Sequence, residues 1–362
     1  MLRGVKVFSI PQIVFVNDIT RLPKITLAEI CTDLNLDSSG SAYELAQRVW
    51  EFLRQNMGSD AILSKSKDKL LAGQVSVTWF RFDDLSDAKG LITRNCGFNP
   101  FEQVKVPPKE TLTTAPCLIA GSIGNSENEY YLRFMYKNGV RKEFYGTEMN
   151  VVPISEITTV YVNEELGIIE VRSDSKKADK VASALARIID KEITLEPVTA
   201  PFLLSIGEIA DALNGELIDT ISKPELILDN FGDDQAKAVG SILTALNNYF
   251  VAKDITVFDE CLRKAEELFD EQTLAVPFTA LILAGMEKIG LGGERELRGL
   301  PLYDSFDPFL DHQSGFVRFK CPEEGIEKTY TIRVGLKSKS IYFNTPATES
   351  VIKFVRDKFI LT

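Results

Sequence analysis

Residues 22–55, LPKITLAEICTDLNLDSSGSAYELAQRVWEFLRQ, constrain the fold more than any other stretch, because two amphipathic periods meet there across a tight break. Thr26 suits a helix N-cap, and Glu29 three residues on completes a capping-box pattern. Leu27, Ile30, Cys31 and Leu34 recur at i, i+3, i+4 and i+7, a single apolar stripe. Asp37, Ser38, Ser39 and Gly40 end the period, and Gly40 supplies backbone freedom that other residues lack. Ser41 with Glu44 repeats the capping pattern, and Leu45, Val49 and Phe52 line the second helix beside Trp50 and Leu53. Two such helices bury only about half a dozen apolar side chains, too few for an independent domain. The pair must lean on neighbouring chain.

This order resembles the SAP-type helix–extension–helix module. The matching residues are Leu27, Ile30, Leu34, Leu36, Ser39, Gly40, Glu44, Leu45, Arg48 and Val49. The motif is short and covers residues 22–55 only. The resemblance implies DNA binding, the common role of that family. Residues after the glycine are usually basic there and touch phosphate, whereas here they are Ser41, Ala42 and Tyr43. Arg48 and Arg54 are the basic residues of the second helix, and residues 1–57 carry six basic against six acidic side chains. Phosphate contacts from Lys and Arg supply most non-specific DNA affinity. A structural or protein-binding pair therefore stands beside the DNA-binding reading.

At 362 residues the chain exceeds one typical core and reads as several domains. Apolar residues at 44% and charged residues at 26% are ordinary globular values. The net charge of −11 is uneven: residues 200–312 hold eight Lys/Arg against twenty-one Asp/Glu, and residues 313–362 hold nine against five. An acidic middle beside a basic tail fits a well-solvated helical surface, or attraction to a basic partner. The five cysteines are scattered without a CxxC pair, which argues against a zinc ribbon and for reduced thiols in a cytoplasmic or nucleoid-associated protein. The opening MLRGVKVFSIPQIVFVN lacks the continuous apolar run of a signal peptide, and the greasiest segment, 274–286, contains Pro277 and is too short to span a bilayer. A soluble protein with no membrane contact is expected.

The periodicity predicts an α+β protein: a short N-terminal helix pair, two hairpin-rich β units each followed by a helix, and a helical middle segment. Domains are expected at 1–57, 70–195, 200–312 and 313–362. Residues 4–16 read as strands around Pro11, 74–82 as a half-buried strand, and 84–128 as short strands and turns. Residues 130–136 and 140–145 read as a hairpin turning at Asn138-Gly139, and 158–163 with 167–172 as a second. Ser173 then caps a helix to about 191 with Ala178, Val181, Leu185 and Ile188 buried. The same order returns in strands at 315–321, 327–334 and 339–343 and a helix carrying Val351, Ile352, Val355 and Phe359, which raises the possibility of a duplication. Residues 203–289 read as mostly helical, at 204–213, 223–228, 234–250, 257–270 and 274–289, with GLGG at 290–293 as a helix stop.

Chemistry is sparse. His312 is the one histidine, and with Asp304, Asp307 and Asp311 it makes an acidic cluster without EF-hand spacing. No GxxxxGK[ST] or Gly-x-Ser-x-Gly occurs, and the Gly-rich 120–125 stretch precedes no helix. Glu170 and Arg172 share a strand face as a nuclease's carboxylate and base would, but Arg does not give up a proton near neutral pH. No catalytic residue, metal site or cofactor is expected.

Surface binding is better supported. Arg133, Lys137, Arg141 and Lys142 cluster with Tyr130, Tyr131, Tyr136 and Tyr145, and Arg318, Lys320, Arg333, Lys337 and Lys339 lie near Tyr330 and Tyr342. Basic side chains beside aromatic ones suit backbone tracking and base stacking, although strands also expose Lys and Arg to guard sheet edges. The expected function is a non-enzymatic binding protein that contacts DNA through Arg48, Arg54 and these two clusters, as part of a larger assembly with protein partners or copies of itself. The alternatives are a protein-binding scaffold using the acidic helical surface, and a divalent-metal nuclease using Glu170 or the 304–311 carboxylates.

Overall fold

A computed structural model describes residues 7–56, 63–82, 86–189, 196–224, 289–292, 296–300, 310–323 and 325–361, with isolated positions between 241 and 303. It combines helices with a large antiparallel sheet, an α+β protein. The chain divides into two compact units, Met1–Gly215 with Arg318–Thr362, and Glu216–Val317.

The first unit begins helically, where strands were expected. A 3₁₀ turn, Ile10–Ile13, leads to α1 (Val16–Thr20), and the free N–H groups before each are taken by side chains one turn on. Ser9 N–H donates to Gln12 Oε1 at 2.7 Å and Phe15 N–H to Asp18 Oδ2 at 2.8 Å, which favours helical turns over extension. α2 (Lys24–Asp33) starts directly after Pro23, so Thr26 is a buried residue of the first turn rather than the cap. α3 (Ala42–Gln55) starts as its sequence indicates, with Ser41 Oγ accepting from Glu44 N–H and Glu44 Oε2 accepting from Ser41 N–H. Leu27, Ile30 and Cys31 meet Leu45, Ala46 and Val49, and the pair does lean on its surroundings, through Ile19, Leu22, Leu63 and Leu70, the last in α4 (Lys67–Leu70).

Further strands and helices follow in chain order: β1 (Ser76–Arg81), α5 (Ala88–Asn95), β2 (Cys117–Ile123), β3 (Glu129–Tyr145), β4 (Glu148–Asn163), β5 (Ile168–Val171) and α6 (Ser175–Ile188). After β6 (Glu196–Pro197) and α7 (Ile206–Ala212), the unit resumes in β10 (Ile326–Gly335), β11 (Ser340–Phe343) and α8 (Glu349–Val355). α5 occupies a stretch expected to hold strands and turns, and Asp174, not Ser173, caps α6. The Gly-rich stretch at 120–123 lies inside β2.

The strand order in this unit is β2-β3-β4-β5-β1-β11-β10, closed by residues 318–323 of β9 (Leu310–Glu323). β1 is central, not half-buried: Val77, Thr78, Trp79 and Phe80 are all covered. Both β5 and β11 run antiparallel to it. The meander β3-β4-β5 with α6 and the meander β9-β10-β11 with α8 thus flank β1 as if related by a two-fold axis along that strand, their helices on opposite sheet faces. α6 buries Ala178, Val181, Ala182 and Leu185 against Phe80, Leu132, Val160 and Val171. α8 lies over the other face, where Glu170 and Arg172 project.

In the second unit β7 (Glu216–Pro224) pairs antiparallel with β8 (Ile289–Gly292), so these residues are strand where helix and helix stop were expected. Thr220 Oγ1 lies 3.0 Å from His312 Nδ1, and Tyr303 stacks on that imidazole. The expected helices at 234–250, 257–270 and 274–289 and the acidic cluster at 304–311 lie largely outside the described residues. Among the described residues no helix is long and apolar enough to cross a membrane.

Candidate functional site

The sheet face under α8 carries a buried ionic network. Glu170 is fully buried. Its Oε2 accepts from Trp79 Nε1 at 3.1 Å and Arg356 Nη1 at 3.0 Å, and its Oε1 from Arg172 Nε at 3.2 Å and Nη2 at 3.0 Å. Arg172 reaches on to Glu349 at the start of α8 and to Leu71 O, and Tyr131 Oη donates to Glu349 Oε2 at 2.9 Å. Arg356 opens a π-helical turn, Arg356–Ile360, and lies 4.3 Å from the centre of the Tyr161 ring. Burial pushes the Tyr161 hydroxyl up to about 12 even though Arg356 opposes the shift. Burial alone would weaken the Arg172 charge, but Glu349 and Glu170 more than compensate and hold it firmly protonated. Every lone pair of Glu170 is engaged by the protein, so this carboxylate has none left for a metal. Among the described residues no three metal-ligating side chains come together.

Arg133, expected at the centre of a basic surface, is only 1% exposed. Its Nη2 bonds both Asp18 oxygens at 2.7 and 2.6 Å, Nη1 bonds Thr159, and the guanidinium lies over the Phe15 ring. It fastens α1 to the sheet and cannot reach a nucleic acid. Tyr130, Tyr131, Tyr136 and Tyr330 are buried too, so they form no stacking platform. Arg48 donates to the carbonyls of Asp37 and Ser39 and pairs with the Asp37 carboxylate at 3.5 Å, locking the extension between α2 and α3. Arg54 stays exposed at the end of α3.

The remaining positive residues do not converge. Lys137 is half-buried where β3 leaves the body, while Arg141 and Lys142 are exposed further out. Arg318, Lys320, Arg333, Lys337 and Lys339 lie on β9, β10 and the turn before β11, with β4, β5, β1 and β11 between β3 and β10. That is roughly 24 Å of sheet at 4.8 Å per strand. Lys320 faces Glu327 at 3.7 Å, and Arg141 pairs with Glu143.

What the structure does present is a two-stranded ribbon. Asn138-Gly139 is not a turn: it is a β-bulge, with Gly139 at φ +115°, and β3 continues through it to Tyr145. The chain reverses at Gly146-Thr147, where Gly146 adopts φ +58°, the glycine position of a two-residue hairpin loop. Beyond Met135 on β3 and before Val160 on β4 the neighbouring strands stop, so the outer part of the hairpin carries no sheet on either side.

Register sorts its side chains. Val140 faces Pro153, Lys142 faces Val151 and Phe144 faces Met149, all on one face; Arg141, Glu143, Tyr145, Glu148, Asn150 and Val152 occupy the other. The first face is apolar and open: Val140 is 43%, Phe144 72%, Met149 55% and Val151 51% exposed, and Tyr145 at the tip is 83% exposed. From 137 to 156 the ribbon holds three cations and three carboxylates. A turn at Asn138-Gly139 ends β3 too early and so hides the alternation that sets Val140, Lys142 and Phe144 opposite Pro153, Val151 and Met149 in one longer hairpin.

A second polar knot lies where β9 and β10 meet α8. Glu323 accepts from Lys328 at 2.9 Å, Tyr330 at 2.7 Å, Ser350 at 3.2 Å and the Thr348 hydroxyl. Burial opposes its ionisation, yet these donors hold its carboxyl down at about 2.

No protein-family model matches this chain, and no curated protein matches it either.

Proposed function

We propose that this is a non-enzymatic binding protein that works within a larger protein assembly, with the β3–β4 ribbon as its contact arm. The observation that carries the reading is the ribbon's open apolar face, since isolated two-stranded ribbons are marginal in water and exposed apolar patches mark interaction sites. The DNA contact expected from the sequence loses its basis in the ribbon, where cations and carboxylates balance and Arg133 is buried. The helix pair, with Arg48 turned onto its own extension, supports a structural role for the SAP-like segment.

The test is to purify tagged full-length chain and its Phe144→Ser/Met149→Ser variant, with and without nuclease, and to identify the accompanying chains by mass spectrometry. Partners that survive nuclease and vanish with the variant support the reading. Nuclease-sensitive association, or a mobility shift of DNA that weakens with salt, overturns it in favour of DNA.

A further inference from the structure

We propose that the ribbon's partner is a second copy of this chain, joined edge to edge along residues 140–144 of β3; this rests on the ribbon being the contact arm. A two-residue hairpin fixes which backbone groups point outward. With Tyr145 opposite Glu148 at the turn, residues 145, 143 and 141 bond inward to β4, and Val140, Lys142 and Phe144 turn their N–H and C=O groups outward. Among the described residues nothing bonds that edge, the last backbone group covered being Lys137 N–H, which donates to Thr113 O at 2.7 Å. The opposite edge of the ribbon offers Met149, Val151 and Pro153 in the same way, and Pro153 has no N–H to give. The ribbon therefore has one complete pairing edge and one blunted by proline.

The complete edge is self-complementary. Antiparallel pairing about a two-fold axis at Lys142 sets Val140 opposite the second copy's Phe144, and Arg141 opposite its Glu143, each twice. The outward groups of Val140, Lys142 and Phe144 then exchange six backbone hydrogen bonds, and the apolar faces of both ribbons join on one side of a four-stranded sheet. Only Lys142 meets its own kind, at the axis, and among the described residues no carboxylate pairs with it. Shifting the register by two puts Arg141 on Arg141 or Glu143 on Glu143 and loses both reciprocal ion pairs.

Stacking the ribbons face to face is disfavoured. One face measures roughly 20 by 10 Å, far below the roughly 800 Å² per partner of a stable interface, and would bring the lysines together without new backbone bonds. Edge pairing is itself small, so the association is concentration-dependent.

Sedimentation equilibrium of the full chain over a wide concentration range tests this. A reversible monomer–dimer equilibrium is expected, weakened about tenfold by Arg141→Glu or Glu143→Arg alone and restored in the double reversal. Lys142→Thr is expected to tighten it. Unchanged far-ultraviolet circular dichroism in each variant shows that the fold is intact. A monomer at every concentration, or a dimer indifferent to the reversals and to Lys142→Thr, overturns self-pairing. In that event loss of copurifying chains from the Phe144→Ser/Met149→Ser variant still upholds the contact arm, and their retention removes it as well.

Discussion

The two helices that follow the two meanders are seated on the sheet by different physics. α6 meets its face with Ala178, Val181, Ala182 and Leu185 against aromatic and branched side chains, a contact that depends on area and packing. α8 brings Val351, Ile352 and Val355, but at its two ends the contact is ionic, Glu349 to Arg172 and Arg356 to Glu170. An apolar seat fails gradually, a methylene at a time, whereas a buried ion network fails when one member leaves its partners charged and unpaired. Near-symmetric architecture therefore does not imply symmetric energetics.

The sharpest way to break this comparison is Glu170→Ala, which strands Arg356 and the Trp79 N–H and leaves Arg172 with Glu349 as its remaining carboxylate. We expect a loss of about 4 kcal/mol, read by urea unfolding through the fluorescence of buried Trp79. A cost as small as that of a surface substitution refutes the ionic seat. Leu185→Ala, the matching cut under α6, should cost about 3 kcal/mol through its cavity, with no dependence on salt or pH in the same unfolding experiment. Asp18→Asn tests the other buried pair, and with shape kept and one charge gone it should cost about 2 kcal/mol in urea.

Acid titration sharpens the picture at the α8 end. The Glu323 carboxyl is depressed in the fold from 4.5 to about 2, so its contribution is full above pH 4.5 and lost as pH falls towards 2. Thermal melts should show Glu323→Gln removing that part of the acid sensitivity, its cost largest above pH 4.5 and shrinking as pH falls towards 2. Phe144→Ser should come last, within about 0.5 kcal/mol of wild type in unfolding, because the ribbon's open face contributes to contact and not to folding.

The elements legible in the sequence were those held by neighbours three or four residues apart. Ser41 with Glu44 marked the start of α3, the Val181–Leu185 stripe marked α6, and the turn between 163 and 168 was placed correctly. Asn138-Gly139 misled because the same dipeptide that closes a hairpin also relaxes a bulge, and only the length of β4 opposite decides between them. Arg133 misled for a related reason. Composition gives the charge of Arg133 but not the face of β3 it occupies, nor that Asp18, 115 residues earlier, waits there.

Periodicity along the chain by itself determined the helix pair, the amphipathic helices and the alternation of the C-terminal hairpin, because each of these is stabilised within one or two turns or across one tight loop. The tertiary structure alone decided which charges are buried and which strand edge is left open. Glu170 finds Trp79 at a separation of 91 residues and Arg356 at 186, pairings set by strand order and register, which no local pattern encodes.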